Sequence, residues 1–271
     1  MYLQNRETMT EQAPDITLKP KVTPIVKINN LNVHAGQHHI LKNINLEITK
    51  NKITVLLGPS GCGKTTLLKC LNKLTDLYTE LRVSGKIFIE EDDILNTQKN
   101  VPVIRQKMGL LSQLPYPLPI SIFKNVAYGI KLKGVRDKKL IEYNVEKYLR
   151  EVGLWNEVKD RLHNSPTSLS IGQQQRLCLA RGLAVKPRII LADEPTSSLD
   201  PISSKIIENL FRKLKKNYTI ILVTHILRQA VRLADNVVFM YYGEIIEQGH
   251  SKDLFKNPKT EKLREYMLEG N

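Results

Sequence analysis

The sequence is poor in cysteine and has no long hydrophobic run. Its three cysteines, Cys62, Cys70 and Cys178, form neither a CxxC pair nor a metal-type spacing with histidine, which argues against a disulfide framework and a zinc site. A reducing compartment is therefore expected, and Cys70 and Cys178 are predicted to be small core residues. No stretch approaches the roughly 20 apolar residues of a membrane span. Residues 1–24 lack the apolar centre of a signal peptide and are predicted to form a flexible tail.

Acidic residues are scarce relative to basic ones. The 271 residues carry 41 Lys and Arg against 27 Asp and Glu, a formal net charge of +14. This excess favours anionic partners such as nucleotides, nucleic acid or a membrane surface, although lysines spread along a chain more often form a solvated surface. The hydrophobic content of 41% excludes wholesale disorder. The length fits one α/β domain with an inserted or appended subdomain.

Strand-like and helix-like patterns alternate along the chain. Alternating apolar and polar residues predict half-buried strands at 26–33 and 43–49, and the wholly apolar run 53–57 predicts a strand buried on both faces of a parallel sheet. Further strands are predicted at 83–90, 188–192 and 218–223, a hairpin at 237–247, and helices from Lys64, over 138–152, over 177–184 and from Pro201. This order predicts an α/β fold with a mostly parallel sheet.

A proline-rich linker marks a change of character in the middle of the chain. Pro115, Pro117 and Pro119 exclude a helix there, and residues 115–186 that begin with them are interpreted as an inserted helical subdomain. The insertion divides the α/β core into a first part, 25–114, and a second part, 187–271, which ends in the hairpin and a helix. No internal repeat is found, so one such unit is expected.

A glycine-rich loop between a predicted strand and a predicted helix carries the strongest chemical signal. It reads Gly58-Pro59-Ser60-Gly61-Cys62-Gly63-Lys64-Thr65-Thr66 and matches G-x-x-x-x-G-K-[ST] in full. Its glycines allow the backbone to curl around phosphates, and its amides, with the helix N-terminus, form an anion nest. Lys64 would meet the β- and γ-phosphates, and the Thr65 hydroxyl can ligate Mg²⁺. The loop predicts ATP binding, and Cys62 within it is expected to be open to alkylation without ATP.

Two adjacent carboxylates follow another apolar run. Asp193 and Glu194 come directly after residues 188–192, at the strand end where parallel sheets place their ligands. Taken alone, such a pair is most often a helix cap or a pair of solvated acids. Downstream of a phosphate-binding loop, Asp193 is predicted to hold Mg²⁺, directly or through water, and Glu194 to act as the general base for the attacking water.

The third motif reads Leu169-Ser170-Ile171-Gly172-Gln173-Gln174-Gln175-Arg176-Leu177. With the preceding motifs it resembles the ATP-binding subunits of ABC transporters, which have a P-loop NTPase (RecA-like) mixed-sheet core, an antiparallel β subdomain and an inserted helical subdomain. The family signature is L-S-G-G-Q, and Ile171 replaces its first glycine. In that family the signature contacts the γ-phosphate held by the other subunit. The resemblance therefore implies that Ser170, Gly172 and Gln173 contact nucleotide across a dimer, and that Ile171 weakens its closure modestly.

Further positions match the family pattern one by one. Gln113 resembles the glutamine that reaches the metal and the attacking water, although a glutamine taken alone would be a surface amide. The segment Ser198-Leu199-Asp200 resembles the loop that crosses the dimer interface, and Asp200 is counted among the nucleotide-binding residues. His225 resembles the histidine that contacts the γ-phosphate and organises Glu194, although a lone histidine is more often structural. Arg176 is assigned to interfaces and solubility rather than to chemistry.

One position departs from the family. The family usually stacks adenine on an aromatic residue before a glycine in the first hairpin, and here Ala35 stands in that place, before Gly36. His34, His38 or His39 is left as a candidate to stack on the base. A preference for ATP over GTP is therefore implied by the resemblance alone.

The resemblance covers nearly the whole chain after about residue 25. The segments most similar to the ATP-binding subunits of bacterial phosphate importers are 58–76, 117–129, 168–187, 193–201 and 239–249. This implies a homodimer or a pair with a paralogue, at the cytoplasmic face of the cell membrane. Two integral membrane permease subunits would be gripped by a groove around 113–123, an extracytoplasmic solute-binding protein would act indirectly, and no nucleic acid is expected.

Other functions fit part of the pattern. An importer for another solute, such as amino acids, would carry the same ATPase, because the ATPase does not touch the solute. A non-transport ABC ATPase acting on DNA or ribosomes would suit the basic charge, but such proteins usually carry tandem domains, a zinc insertion or a long coiled coil. A plain P-loop kinase leaves residues 169–177 unexplained.

Overall fold

The computed structural model describes residues 23–97 and 100–269. The tail predicted at 1–24 lies outside these residues except at positions 23 and 24. The strands are β1 Val26–Ala35, β2 His38–Ile48, β3 Ile53–Leu57, β4 Leu81–Ile89, β5 Asp92–Asp93, β6 Met108–Leu111, β7 Ile189–Asp193, β8 Thr219–Thr224, β9 Asn236–Tyr241 and β10 Glu244–His250. The α-helices are α1 Lys64–Leu71, α2 Val101–Gln106, α3 Ile122–Leu132, α4 Lys138–Glu151, α5 Trp155–Val158, α6 Ile171–Ala184, α7 Pro201–Leu214, α8 Leu227–Leu233, α9 Ser251–Lys256 and α10 Glu261–Glu269.

The described strands form two sheets of different kinds. One sheet has the order β2-β1-β4-β5 and is antiparallel. The other has the order β10-β9-β3-β8-β7-β6, in which β6, β7, β8, β3 and β9 run parallel and β10 returns antiparallel to β9. This confirms the predicted mixed-sheet core with an antiparallel β part. The hairpin expected at 237–247 is β9–β10, turning at Gly243 with φ +84°.

The central strand β3 explains why the site lies where it does. Every residue of β3 and β8 is buried, as the wholly apolar runs predict for strands covered on both faces. The neighbouring strands β7 and β9 run in the same direction, so the carboxyl ends of all four strands meet at one edge of the sheet. Motifs far apart in sequence are thereby brought together at this edge.

The helical segment between β6 and β7 contains α3 to α6. Ser121 caps α3 by accepting the Lys124 N–H at 3.2 Å, and Asp137 caps α4 by accepting the Leu140 N–H at 2.6 Å. Helix α3 was not predicted from the sequence, and α4 agrees with the helix expected at 138–152. These helices share one hydrophobic cluster with β3, β7 and β8, so their packing is continuous with the sheet. No helix among the described residues is long and apolar enough to cross a membrane.

Helix α6 begins earlier than the apolar pattern indicates. The prediction placed it at 177–184, whereas it starts at Ile171. The reason is a capping box: the Ser170 hydroxyl accepts the Gln173 N–H at 3.3 Å, and the Gln173 side chain accepts the Ser170 N–H at 3.0 Å. The signature motif therefore forms the first turn of a helix.

Candidate nucleotide-binding site

The glycine-rich loop connects β3 to α1 in a shape that requires glycine at two positions. Gly58 has φ +154°, and a Cβ there would lie 2.1 Å from the Met240 carbonyl oxygen. Gly63, the residue before α1, has φ +101°, and a Cβ there would lie 2.6 Å from Leu41 Cδ2. A side chain at either position would collide with the neighbouring strands, so only glycine allows this close approach of the loop to β9 and β2.

Lys64 places a positive charge within this loop. The residue is 4% exposed, and its Nζ donates to the carbonyls of Gly58 at 2.8 Å and Pro59 at 2.7 Å. Both partners are neutral, so the ammonium charge is solvated by the loop without being cancelled there. A buried cation of this kind is suited to an anionic ligand.

Thr65 and Asp193 meet across the site. The Thr65 hydroxyl donates to Asp193 Oδ1 at 2.9 Å, although the two residues are 128 positions apart. Burial raises the pKa of Asp193, the nearby charge of Glu194 adds to this, and the Thr65 hydrogen bond opposes it. No group of three or more His, Cys, Asp or Glu in the described parts of the chain could hold a metal ion. A divalent ion would thus need oxygen ligands from nucleotide and water besides this pair.

Glu194 and His225 form the second contact of the site. His225 Nδ1 lies 3.0 Å from Glu194 Oε1, with His225 one residue past β8 and Glu194 one residue past β7. Glu194 has φ +43°, an unfavourable value for a residue with a side chain. Its backbone is held there because its N–H donates to Val223 at 3.1 Å and its carbonyl accepts from the Ser197 hydroxyl at 3.0 Å. Such local strain is frequent at functional sites.

The signature motif presents a different surface. Gly172 is packed so closely on α7 that a Cβ would lie 2.8 Å from Ser203 Oγ. The Gln173 side chain is engaged within the chain, because its Nε2 donates to Glu157 Oε2 at 2.8 Å while its Oε1 completes the capping box. Ile171 is 50% exposed. Ser170 and Ile171 are therefore both exposed to solvent on the first turn of α6.

Two other predicted site residues, Asp200 and Gln113, accept hydrogen bonds from neighbouring residues. Asp200 caps α7, since its Oδ1 accepts the N–H groups of Ile202 and Ser203 at 3.0 Å each, as the Asp-Pro pattern predicts. Gln113 is exposed, and its carbonyl accepts from the Ser198 hydroxyl at 3.2 Å. The structure shows no hydrogen bond from the Gln113 side chain to Thr65 or Asp193, all three being described residues, so its metal and catalytic roles stay predictions.

Two expectations about side chains were wrong. Cys62 is 4% exposed, and burial raises the pKa of its thiol even though Lys64 opposes this, so the thiol is not readily alkylated. Arg176 was assigned to interfaces and solubility, and only the solubility part of that assignment is wrong. It is 7% exposed, and its two terminal nitrogens lie 2.7 and 2.9 Å from the Glu157 carboxylate oxygens, which ties α6 to α5. Cys70 and Cys178 are buried, as predicted.

Sequence reasoning missed Gln175, which connects α6 to the catalytic edge. Its side chain is fully buried, and its Nε2 donates to the carbonyls of Ser112 at 2.9 Å and Pro195 at 3.1 Å. Ser112 precedes Gln113, and Pro195 follows Glu194. One amide therefore bridges the signature helix to both catalytic segments. Its place within the signature motif was the available signal, but a glutamine in a helix gives no indication of its partners.

The region around Ala35 contains a pair of stacked imidazoles. The rings of His34 and His39 lie 3.9 Å apart with an interplanar angle of 17°, and His39 Nε2 is 3.0 Å from Asn32 Oδ1. These contacts hold both rings on the β1–β2 hairpin, near the loop but against each other. Which side chain stacks on adenine stays an open prediction.

Comparison with known proteins agrees with this geometry. Residues 41–197 match the family model described as ABC transporter. The chain belongs to the ABC transporter family, and its chemistry is the binding and hydrolysis of ATP.

One similar protein and one similar structure indicate which members of the ABC transporter family the chain resembles. The chain is 47% identical over 244 residues to the phosphate import ATP-binding protein PstB of Thermotoga maritima, covering 90% of this chain and 97% of the relative. Its fold is similar to that of cbiO1 from Clostridium perfringens, described as part of the ABC transporter complex cbiONQ. The TM-score is 0.76 and the identity 28%, covering 91% of this chain and 95% of the other.

Proposed function

We propose that this chain is the ATP-hydrolysing subunit of an importer of inorganic phosphate. The observation that carries the proposal is the meeting of Thr65 with Asp193 and of Glu194 with His225 at one edge of the sheet, beside the phosphate-binding loop. The solute is proposed from the 47% identity to a phosphate import protein over nearly the full length of both chains.

The site divides the work of hydrolysis among its residues. Residues 58–66 bind the phosphates through backbone amides and Lys64, which compensates the charge on the leaving diphosphate. Thr65 and Asp193 offer the hard oxygen ligands that suit Mg²⁺, with Gln113 as a further ligand that would have to move inward. The ion, when bound, neutralises negative charge on the phosphates.

Glu194 is the proposed base for the attacking water. Its Oε1 lies 3.0 Å from His225 Nδ1, and this contact orients the carboxylate at the end of β7, where it can accept a proton from water. His225 would in addition contact the terminal phosphate. Catalysis then rests on positioning and on preorganised charge rather than on a covalent intermediate.

A second subunit completes the site. Ser170 and Ile171 are exposed on the first turn of α6, so the signature donors Ser170, Gly172 and Gln173, with Asp200 beside them, are proposed to meet nucleotide bound to another copy. Helix N-termini favour anions. The Gln173 side chain would have to release Glu157 to contribute more than its backbone.

The linker after β6 is proposed to dock on a membrane permease. Asn125 holds it to α3, since its Oδ1 accepts the Leu118 N–H at 2.8 Å and its Nδ2 donates to the Leu118 carbonyl at 3.1 Å. Leu114 and Tyr116 are left 50% and 67% exposed. An exposed apolar pair on a fixed loop is suited to contact a helix of a permease. Two copies of this chain would then contact two permease subunits at the cytoplasmic membrane face. An extracytoplasmic solute-binding protein would deliver the phosphate.

Radiolabelled uptake tests the proposed solute. In phosphate-starved cells lacking the chromosomal gene, plasmid-borne parent should restore uptake of ³²P-phosphate, whereas Lys64→Ala should leave background uptake, because the loop loses its charge. Lys27→Ala, which removes a surface ion pair with Glu47 on the antiparallel sheet, is the control and should restore uptake. Restored glutamine uptake without phosphate uptake would indicate an amino-acid importer, and salt-sensitive DNA binding with neither uptake would indicate a non-transport ATPase.

A further inference from the structure

The C-terminal helix α10 is anchored firmly against the second sheet. The Glu247 carboxylate of β10 accepts the Lys259 N–H at 3.1 Å, the Thr260 N–H at 3.0 Å and the Thr260 hydroxyl at 2.8 Å, just before the helix begins. Leu263 is completely buried in the main hydrophobic cluster. The start of α10 and the face that carries Leu263 are therefore both fixed to the rest of the chain.

Tyr266 on this helix reaches the carboxyl edge of the parallel strands. Its ring lies 5.2 Å from that of Phe239, and Phe239 pairs with Leu57, the last residue before the phosphate-binding loop. The Tyr266 hydroxyl donates to the carbonyl of His225 at 2.5 Å. An element that the family motifs do not include is thus in direct contact with the backbone of the residue that orients Glu194.

The position of His225 depends on backbone contacts. Its imidazole ring is partly exposed and contacts the Glu194 carboxylate through Nδ1. The chain turns from β8 into α8 at this residue. The next turn contact is the Ile226 N–H, which donates to the Thr224 hydroxyl at 3.0 Å. Anchoring the His225 carbonyl limits the backbone movement that would carry the residue, and its ring with it, away from Glu194.

The electrostatic surroundings keep Tyr266 a donor. Burial, with smaller contributions from the negative forms of Cys62 and Glu194, raises the pKa of Tyr266 to about 12. The hydroxyl therefore keeps its proton at neutral pH.

We propose that Tyr266 is a positioning residue for ATP hydrolysis, which holds the His225 backbone so that the imidazole orients Glu194. The inference rests on the proposed role of Glu194 as base. Because the Tyr266 hydroxyl bonds to the His225 carbonyl and not to a group of the phosphate-binding loop, loss of that hydroxyl should affect turnover and leave nucleotide affinity nearly unchanged. The C-terminal helix is then part of the catalytic apparatus and not only of the core.

The test compares Tyr266→Phe with the parent in the full chain. Phenylalanine keeps the ring and its contact with Phe239 and removes only the donor. We expect kcat for ATP to fall about three- to tenfold, the range given by one hydrogen bond, with KM within about twofold. In ¹⁵N-histidine-labelled protein, the His225 ring signals, assigned with His225→Gln, should shift.

Tyr218→Phe is the matched control, since the Tyr218 hydroxyl donates to Glu151 at a distance of 3.3 Å and, within the described part of the chain, makes no hydrogen bond to His225. It should keep the parental kcat and the His225 signals. An unchanged kcat in Tyr266→Phe, an equal loss in both variants, or a rise in KM alone would overturn the positioning role while leaving the proposed function intact. A parent chain that hydrolyses no ATP, alone or with its permease, would contradict the proposed function itself and the inference with it.

Discussion

The two motifs that face nucleotide in this family are built in opposite ways. The phosphate-binding loop packs so closely on neighbouring strands that two of its positions require glycine. Its Lys64 is 4% exposed and donates hydrogen bonds to two loop carbonyls. The signature segment is fixed by an exposed capping box between Ser170 and Gln173 and presents the 50% exposed Ile171 to solvent. The loop is closed around its own lysine, whereas the signature surface is open to solvent and is the one proposed to meet a second copy.

This difference indicates that nucleotide binding and ATP hydrolysis depend on different surfaces of the chain. A loop complete within one chain can hold nucleotide alone. If the signature of another copy completes the γ-phosphate side, as proposed, hydrolysis should depend on association while nucleotide affinity should not. Variants of the two surfaces, and of the Gln175 bridge between them, test this separation.

The largest effect is expected from Glu194→Gln. The amide cannot accept a proton from water, so turnover should fall about 100-fold or more, while ATP affinity is kept because the loop is untouched. Dimers should accumulate with ATP in analytical ultracentrifugation. Glu47→Gln, which breaks a surface ion pair with Lys27, is the control and should hydrolyse normally. Ordinary turnover in Glu194→Gln would remove the base assignment.

An intermediate effect is expected from Gln175→Met. Methionine fills similar space but leaves the partly buried Ser112 carbonyl and the buried Pro195 carbonyl without their donor. It also removes the buried Gln175 Oε1, which has no hydrogen-bond partner among the described residues, so the free energy of unfolding should fall by only about 1 kcal/mol. Hydrolysis should fall about tenfold, because the bridge between α6 and the catalytic segments is lost. Urea unfolding and steady-state ATPase assays measure the two effects.

Gln174→Met is its control on the same helix. Gln174 is partly exposed and donates to the Leu169 carbonyl at 2.9 Å, so the same substitution should have little effect on hydrolysis. Equal ATPase rates in the two variants would show that Gln175 supports only the packing of α6.

The smallest effect is expected from Ile171→Gly. Removing the exposed side chain should tighten ATP-dependent dimerisation a few-fold, since the signature could approach the other loop more closely. Dimer dissociation constants would be compared in a Glu194→Gln background, where ATP persists. Leu140→Gly, an exposed residue in the first turn of α4, controls for the loss of an aliphatic side chain at a helix start. An unchanged dissociation constant would show that Ile171 does not hinder closure.

Prediction from sequence succeeded where a local pattern carries the information. The apolar run 53–57 coincides with β3, and the helix predicted from Pro201 after the Asp200 cap is α7. These features follow from side-chain periodicity and capping, which act over a few residues. Helix α3 and the true start of α6 were missed, because the first follows a proline-rich linker and the second begins with polar residues.

The sequence by itself determined the phosphate-binding loop, the two carboxylates at the end of β7 and the α/β class, because each depends on residues adjacent in the chain. Only the tertiary structure decided which groups meet: Gln175 with Ser112 across 63 positions, and Tyr266 with the His225 carbonyl across 41. Hydrogen bonds of this kind depend on sheet order and helix packing, and a polar side chain carries no local sign of the carbonyl that it will reach.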